Sequence, residues 1–589
     1  MFRENYEHEQ ESLFSPVKDL PSGPKKKLED HWSTHFYEHV FTQIDEEKFE
    51  VLYHEGYSRP NKPVNELVSL EILKHLMGLS DEQLEHAYLF DYRVRNALGK
   101  ESLGDNICPK TFTNFRRRLL EYEEETGRDL LHEVFEEHRS YLKKEFEIDA
   151  STQRMDSTFI EANIQQLSRA ELIAKVVHNF LHDLPDEEVA ELPAGMETFA
   201  DQDNLDLSYE LPPEQVRAAM ETLAEHAAWL VDRFETEDVY SDLESFSPLE
   251  RVLDEQCYRI PELEEDEEDE TTDDHDDDDD DDNSPGWEPV RMFESSIDEQ
   301  GKDVLTPEPT DETESEGDEK RVGLKESDEI DSGSLQNPHD DEATYRRKRG
   351  EEYFGYKANL AETCGGDNPF RLITAVRVDT NNTTDADLLD EDVDELPYST
   401  GLINLLVDGG YTHNEVEAHC REHGITQHFT GISGPDISEG MLSLAEAEWH
   451  GMELVACPAE HEPIHQQYNE DSGRFSFRMA KEHCANCPLL DECFVQEKQE
   501  FYSHGFWKRR LDIALRRARV ADPERQEFLN QRAGAESMIS EVYHRTGKRT
   551  RFTGKIKVKN ATVATAIGIN LKRVSRHLNE ESSGQKTAG

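Results

Sequence analysis

The hydrophobic positions of this chain change period along its length, and the changes divide it into segments. Between residues 59 and 145, Leu67, Leu70, Ile72, Leu73, Leu76, Met77 and Leu79 recur at helical spacing. Ser80 is a suitable N-cap for a second helix carrying Leu84, Ala87 and Tyr88. This predicts a compact all-α domain at 59–145, preceded at 1–58 by an arm of mixed aromatic and charged residues. Residues 146–254 open on a strand around Met155-Asp156. Helices follow, carrying Val176, Val177, Phe180 and Leu184, then Val216, Met220, Leu223, Ala227 and Leu230. Strand character returns at 346–450. Arg371 to Val378 is rich in β-branched residues, and Leu402 to Val407 reads as a buried strand ending at Asp408. A helix at Asn414 to Glu422 and a strand near Ile425 to Phe429 complete the alternation, which predicts a layered α/β core.

Charge redraws part of this picture. The net charge is −68. Residues 261–340 hold 34 acidic and 5 basic side chains, including seven consecutive aspartates, Asp276 to Asp282. Such a run repels itself and buries little, so 255–345 is expected to be a disordered acidic linker. The remaining acidity suits a salt-rich cytoplasm. From Phe501 to Gly589 the balance reverses, with 19 basic and 8 acidic residues. The chain has no apolar run of membrane-spanning length, and Met1 to Ser15 lacks an apolar signal core, so a cytoplasmic protein is expected.

Three segments carry candidate chemistry. Asp156 lies in Met155-Asp156-Ser157-Thr158, Asp408 is exposed at a strand tip by Gly409-Gly410, and Glu536 lies beside the apolar stripe of a helix expected to start at Asp522-Pro523. Three carboxylates can hold two Mg²⁺ (or Mn²⁺) ions for in-line phosphoryl transfer. Asp385, Glu161 and Glu541 are rivals, with Asp385 read as a helix cap. The spacing Cys484-x-x-Cys487, with Cys457 and Cys493, suits a structural Zn²⁺ in a Cys-rich insertion at 451–500, the alternative being unligated thiols. Basic clusters suit phosphate contacts: Arg116, Arg117 and Arg118 in the helical domain, then Lys508, Arg509, Arg510, Arg516 and Arg517, and Lys548, Arg549 and Arg551 within 501–560. The arginine cluster at 116–118 reads equally as a solvated helix face.

Met-Asp-Ser-Thr-Phe-Ile-Glu-Ala-Asn (155–163), Leu-Leu-Val-Asp-Gly-Gly-Tyr (405–411) and Arg-Ala-Gly-Ala-Glu-Ser-Met-Ile-Ser (532–540) resemble the three signature regions of DDE insertion-sequence transposases. Gly355-Tyr356-Lys357 with the strand after it resembles the family's second core strand pair, and 59–120 resembles the domain that precedes the core. The cysteine insertion resembles one subgroup, and 561–573 resembles the C-terminal helix, here placed in a 561–589 segment. The resemblance implies an RNase H-like mixed sheet flanked by helices, with Asp156, Asp408 and Glu536 as metal ligands. It also implies double-stranded DNA as substrate, both transposon ends and target, with Arg532 four residues before the Glu. Synapsis of two ends implies a homodimer working at the nucleoid. A nuclease without strand transfer and a non-catalytic DNA-binding copy are the competing readings.

Overall fold

The computed structural model describes residues 2–10, 17, 19–53, 61–100, 106–193, 196, 213–260, 293–297, 303–307, 321–431, 440–470 and 472–588. Near the N-terminus, helix α1 (Trp32–His39) and the turns after it bury Phe36, Phe41 and Phe49. The stretch expected as a surface arm is therefore part of the first core. Its large apolar residues are spread over short helices and turns, so no single period reveals them. Helix α2 (Val64–Met77) is buried on nearly all sides and stops at Gly78, whose φ of 68° closes it with a left-handed cap. Ser80 caps α3 (Asp81–Phe90) in a capping box with Gln83. Helices α4 (Pro109–Thr126) and α5 (Leu130–Glu145) complete the helical layer.

Strand β1 (Thr152–Glu161) then enters the central sheet. Helices α6 (Arg169–Asp183), α7 (Pro213–Phe234) and α8 (Phe246–Gln256) pack on one another around their own apolar core. That core is closed by β2 (Cys257–Arg259) pairing antiparallel with β3 (Val322–Leu324). The expected 255–345 linker is thus folded at both ends: Val322, Leu324 and Leu335 join the helical core, and Ala343 is buried beside the sheet. Acidic composition averaged over a long window hides these few apolar anchors. The aspartate run lies outside the described residues.

The sheet continues with β4 (Thr344–Lys348), β5 (Glu351–Thr363) and β6 (Ile373–Thr380). Helix α9 (Asp385–Val393), β7 (Asn404–Val407), α10 (Asn414–Glu422) and β8 (Thr426–Phe429) follow. Its order is β8-β7-β1-β5-β4, with β6 also on β5. Strands β8, β7 and β1 run parallel, and β5 is antiparallel to β1, β4 and β6. Side chains alternate between the two faces. Ile160, Ala358 and Leu360 face the N-terminal helices, while Met155, Ala361, Leu405 and Val407 face the layer of α9 and α10.

Strands β9 (His465–Asn469), β10 (Arg474–Ala480) and β11 (Phe501–Trp507) form a separate antiparallel sheet with its own aromatic core. Helix α11 (Lys508–Ala521) leads out of it. The single amphipathic helix expected from Asp522 is broken. Asp522 caps a 3-10 turn, two short helical pieces follow, and α12 (Ala535–Thr546) begins only after Gly534. Helix α12 buries Ala535, Met538 and Val542. Residues 548–550 extend the end of β1 through Glu161 N–H to Lys548 O and Thr550 N–H to Glu161 O. Helix α13 (Lys555–Ala588) closes the first core with Val563, Ile567 and Leu571 fully buried. Among the described residues, no helix is long and apolar enough to cross a membrane.

Candidate active site

Register brings two of the three carboxylates together. Strands β1 and β7 pair in parallel from Thr152↔Asn404 to Arg154↔Leu406. Continued by two residues, that register sets Asp156 beside Asp408. Met155 and Val407 point into the α9/α10 layer, so alternation turns Asp156 and Asp408 to the opposite face. Gly409 and Gly410 begin a turn there, and Gly410 N–H donates to Asp408 Oδ1 at 2.8 Å.

Arg532 bridges the pair. Its Nη2 lies 2.9 Å from Asp156 Oδ1 and 3.8 Å from Asp408 Oδ2. Burial pushes the Asp156 carboxyl up to about 6, Asp408 and Asp385 push the same way, and Arg532 pulls against them. Asp408 is far more open than Asp156, at 49% against 18% side-chain exposure, so the pair is reached from its side.

A second buried guanidinium sets this turn in place. Arg154, on the same face of β1, is ion-paired with Glu362 of β5 and donates to Gln531 O. A Cβ at Gly534 would lie 2.0 Å from Arg154 Nη1, so only glycine lets the 530–534 turn approach β1 this closely. Neither Arg154 nor Glu362 stands out in the sequence.

Glu536 lies in the first turn of α12, exposed, with no hydrogen bond or ion pair among the described residues. Its oxygens do not gather with those of Asp156 and Asp408 within 4.8 Å. Asp385 is not the cap of α9; Thr384 is, in a capping box with Asp387. Asp385 instead sits behind Gly410, pairs with Lys357 Nζ and accepts from Ser157 Oγ. Burial raises its carboxyl, and Lys357 with Ser157 outweigh that and hold it below the ordinary aspartate value.

Cys457, Cys484, Cys487 and Cys493 line one small cavity with His461 and His483. Burial, then the neighbouring sulfurs, push the Cys484 thiol up to about 11. No three of the sulfurs lie within 4.8 Å of one another.

The basic residues divide. Arg116 is half-hidden and committed to Glu71 at 2.8 Å and Asp81 at 2.7 Å. Arg516 is buried against Glu417 and Asn414. Arg549 donates to Ala162 O and Ile164 O, and Arg118 lies over the Tyr53 ring. Arg532 belongs to the carboxylate site. Arg117, paired with Glu121, is exposed, as are Lys508, Arg509, Arg510, Lys548 and Arg551; Arg517 is half-buried.

Residues 456–575 match a family model described as "Transposase DDE domain", and residues 26–118 match one described as "Transposase domain (DUF772)". The two matches support an insertion-sequence DDE transposase, an enzyme class that acts on DNA and generally uses divalent metal. The first match spans the four cysteines, Arg532, Glu536 and most of α13; the second spans α1 to the middle of α4. No curated protein and no solved structure matches the chain.

Proposed function

We propose that this protein is a DDE transposase that cuts DNA at the ends of a mobile element and joins those ends to target DNA. Its core is read as RNase H-like, on the strength of the mixed sheet with Asp156 and Asp408 on neighbouring parallel strands. The observation that carries the reading is the Asp156–Arg532–Asp408 contact, with Glu536 one turn further along the chain.

The Asp156–Asp408 pair fits a divalent cation, and Glu536 would have to approach to complete the set. Two carboxylates facing each other across a guanidinium form a place built for positive charge, and hard oxygen donors suit Mg²⁺ or Mn²⁺. Asp156, Asp408 and Glu536 would hold the ions, which when bound activate the attacking hydroxyl and stabilise the leaving oxygen. The chain's own groups do the rest. Arg532 neutralises the two aspartates and stands ready for a phosphate oxygen. Lys357 and Ser157 keep Asp385 ionised behind the Gly410 turn. The exposed cations Arg117, Lys508, Arg509, Arg510, Lys548 and Arg551 grip the DNA backbone. The four cysteines are read as ligands of a structural Zn²⁺ only if their sulfurs draw closer than they stand here, and the working form as a homodimer holding two ends at the nucleoid.

The separation of Glu536 from the aspartates favours a second reading, a non-catalytic DNA-binding copy. A strand-transfer assay on element-end DNA with Mg²⁺ decides. Product that disappears in Asp156→Asn, Asp408→Asn and Glu536→Gln supports the transposase. DNA binding without cleavage in any divalent ion supports the second reading, and cleavage without joining makes the protein a nuclease.

A further inference from the structure

Helices α9 and α10 both leave the catalytic end of the sheet. Helix α9 follows β6, and α10 follows β7 through the Asp408 turn. Both strands are antiparallel to β5 or parallel to β1, so they point the same way, and the helices pack side by side. Their C-terminal ends therefore meet about 13 Å from their starts, nine residues at 1.5 Å each. Two helix C-termini together favour a cation.

Imidazoles and carboxylates converge at that meeting point. Asp390 and Asp394 are four residues apart on α9 and its end, and His419 and His423 are four apart on α10 and its end. Each pair thus shares a helix face. His419 Nε2 lies 3.0 Å from Asp394 Oδ1, and His423 Nδ1 lies 3.3 Å from the same oxygen. Among the described residues, this is where three such ligand atoms come within 4.8 Å of one another. Atoms bound to a tetrahedral zinc stand roughly 3.3 Å apart, given Zn–N bonds of about 2.0–2.1 Å. His423 Nδ1 is enclosed and makes no hydrogen bond of good geometry.

We propose that Asp394, His419 and His423 bind a first-row divalent transition ion, zinc by chemistry, with a fourth position open to water. Asp390 completes the design. Its Oδ1 lies 2.8 Å from His419 Nδ1, so it takes that N–H and turns the Nε2 lone pair toward the ion. A carboxylate behind a ligating histidine is the usual way of fixing the ring and raising its basicity. Two imidazoles and one carboxylate select zinc, nickel or cobalt over magnesium, so this ion differs in kind from the one proposed at Asp156. Side-chain exposures of 75% for Asp394, 31% for His419 and 28% for His423 leave the ion a path in. Bound there, it ties together the far ends of the helices whose near ends carry Asp385 and follow Asp408.

The test uses full-length protein stripped by chelator and titrated with Co²⁺, read by visible absorption and by metal per chain. Cobalt on the cysteine cluster shows thiolate charge-transfer bands, and cobalt on nitrogen and oxygen does not. The expected result is an equivalent without thiolate bands, over and above any held at Asp156 and Asp408, that is absent from His419→Ala/His423→Ala and retained in Asp156→Asn. Asp390→Asn should weaken that equivalent by about 10–100-fold. Zinc should raise the Tm of the parent and not that of the double variant. Equal metal content in parent and double variant, or thiolate-type cobalt alone, overturns the proposal. Should the double variant fail to fold, an unchanged Co²⁺ affinity in Asp390→Asn overturns it as well.

Discussion

The guanidinium of Arg154 occupies the space that a side chain at Gly534 would need. A single methyl there meets Nη1 at 2.0 Å, and Arg154 cannot withdraw because Glu362 holds it. The turn carrying Arg532, and the helix carrying Glu536, are thus seated on a buried ion pair of the sheet.

Gly534→Ala should therefore damage the site more than the fold. Overpacking of this kind costs about 1–3 kcal/mol of stability. A displacement of about 1 Å at a catalytic group can cost on the order of 100-fold in rate. The expected outcome is a cooperative melt a few degrees lower, with strand transfer reduced about 100-fold. Calorimetry and a strand-transfer time course read the two effects; wild-type activity in a folded Gly534→Ala protein would refute the seating.

Glu362→Gln should be strongly destabilising. The Glu362 carboxylate meets Arg154 and, at 2.7 Å, Arg573 of α13, and it is almost wholly buried. Removing one charge of a buried pair costs about 3–5 kcal/mol because the partner is left uncompensated. Urea unfolding at fixed salt measures this. A loss under about 1 kcal/mol would mean that water reaches the pair.

His138 on α5 should make the fold acid-sensitive. Burial holds its imidazole down at about 4, below the ordinary value of 6.5. The unfolded chain takes up a proton as pH falls through about 6.5, while the folded chain stays neutral until about pH 4. Stability contributed above pH 6.5 is therefore lost between about 6.5 and 4, at up to roughly 3 kcal/mol in total. His138→Phe should flatten this part of the stability–pH curve. An unchanged slope would assign the acid sensitivity to other groups.

The net charge of −68 should make stability rise with salt. Screening shortens the range of self-repulsion to about 10 Å at 0.1 M and about 3 Å at 1 M. The midpoint of thermal unfolding should climb steadily from dilute buffer to molar KCl. Full stability in dilute buffer would remove the case for a salt-rich setting.

Part of the candidate site could be read from the chain. Asp408 announced itself because an apolar run ends at two glycines, and Asp156 because it sits within a strand pattern. Arg532 stands out only through the family resemblance, which implies a DNA contact; that it spans both aspartates depends on the register of β1 and β7. Arg116 reads from the chain as a phosphate ligand or a solvated helix face, because its partners, Glu71 and Asp81, lie 45 and 35 residues away. The role of Arg154 was invisible for the same reason, its carboxylate being 208 residues distant. Helix α2 and the Ser80 cap were legible since their causes are local. The folded margins of the acidic stretch were not, because a handful of apolar residues such as Val322 and Leu335 anchor them.

Strands β1 and β5 pair from Gln153↔Thr363 to Glu161↔Gly355, although the three-helix insertion separates them in the chain. Antiparallel neighbours are usually joined by a short hairpin, and here an independently cored body takes the hairpin's place. Loop-closure entropy grows only slowly with length, so this detour costs little at equilibrium. Its effect is expected on timing: if the insertion condenses first around its own core, its two ends lie close together, and the sheet that carries Asp156 zips up across a gap already closed. Productive assembly then depends on helices far from any catalytic carboxylate, and a mutation in their apolar core would delay the appearance of an active site it never touches.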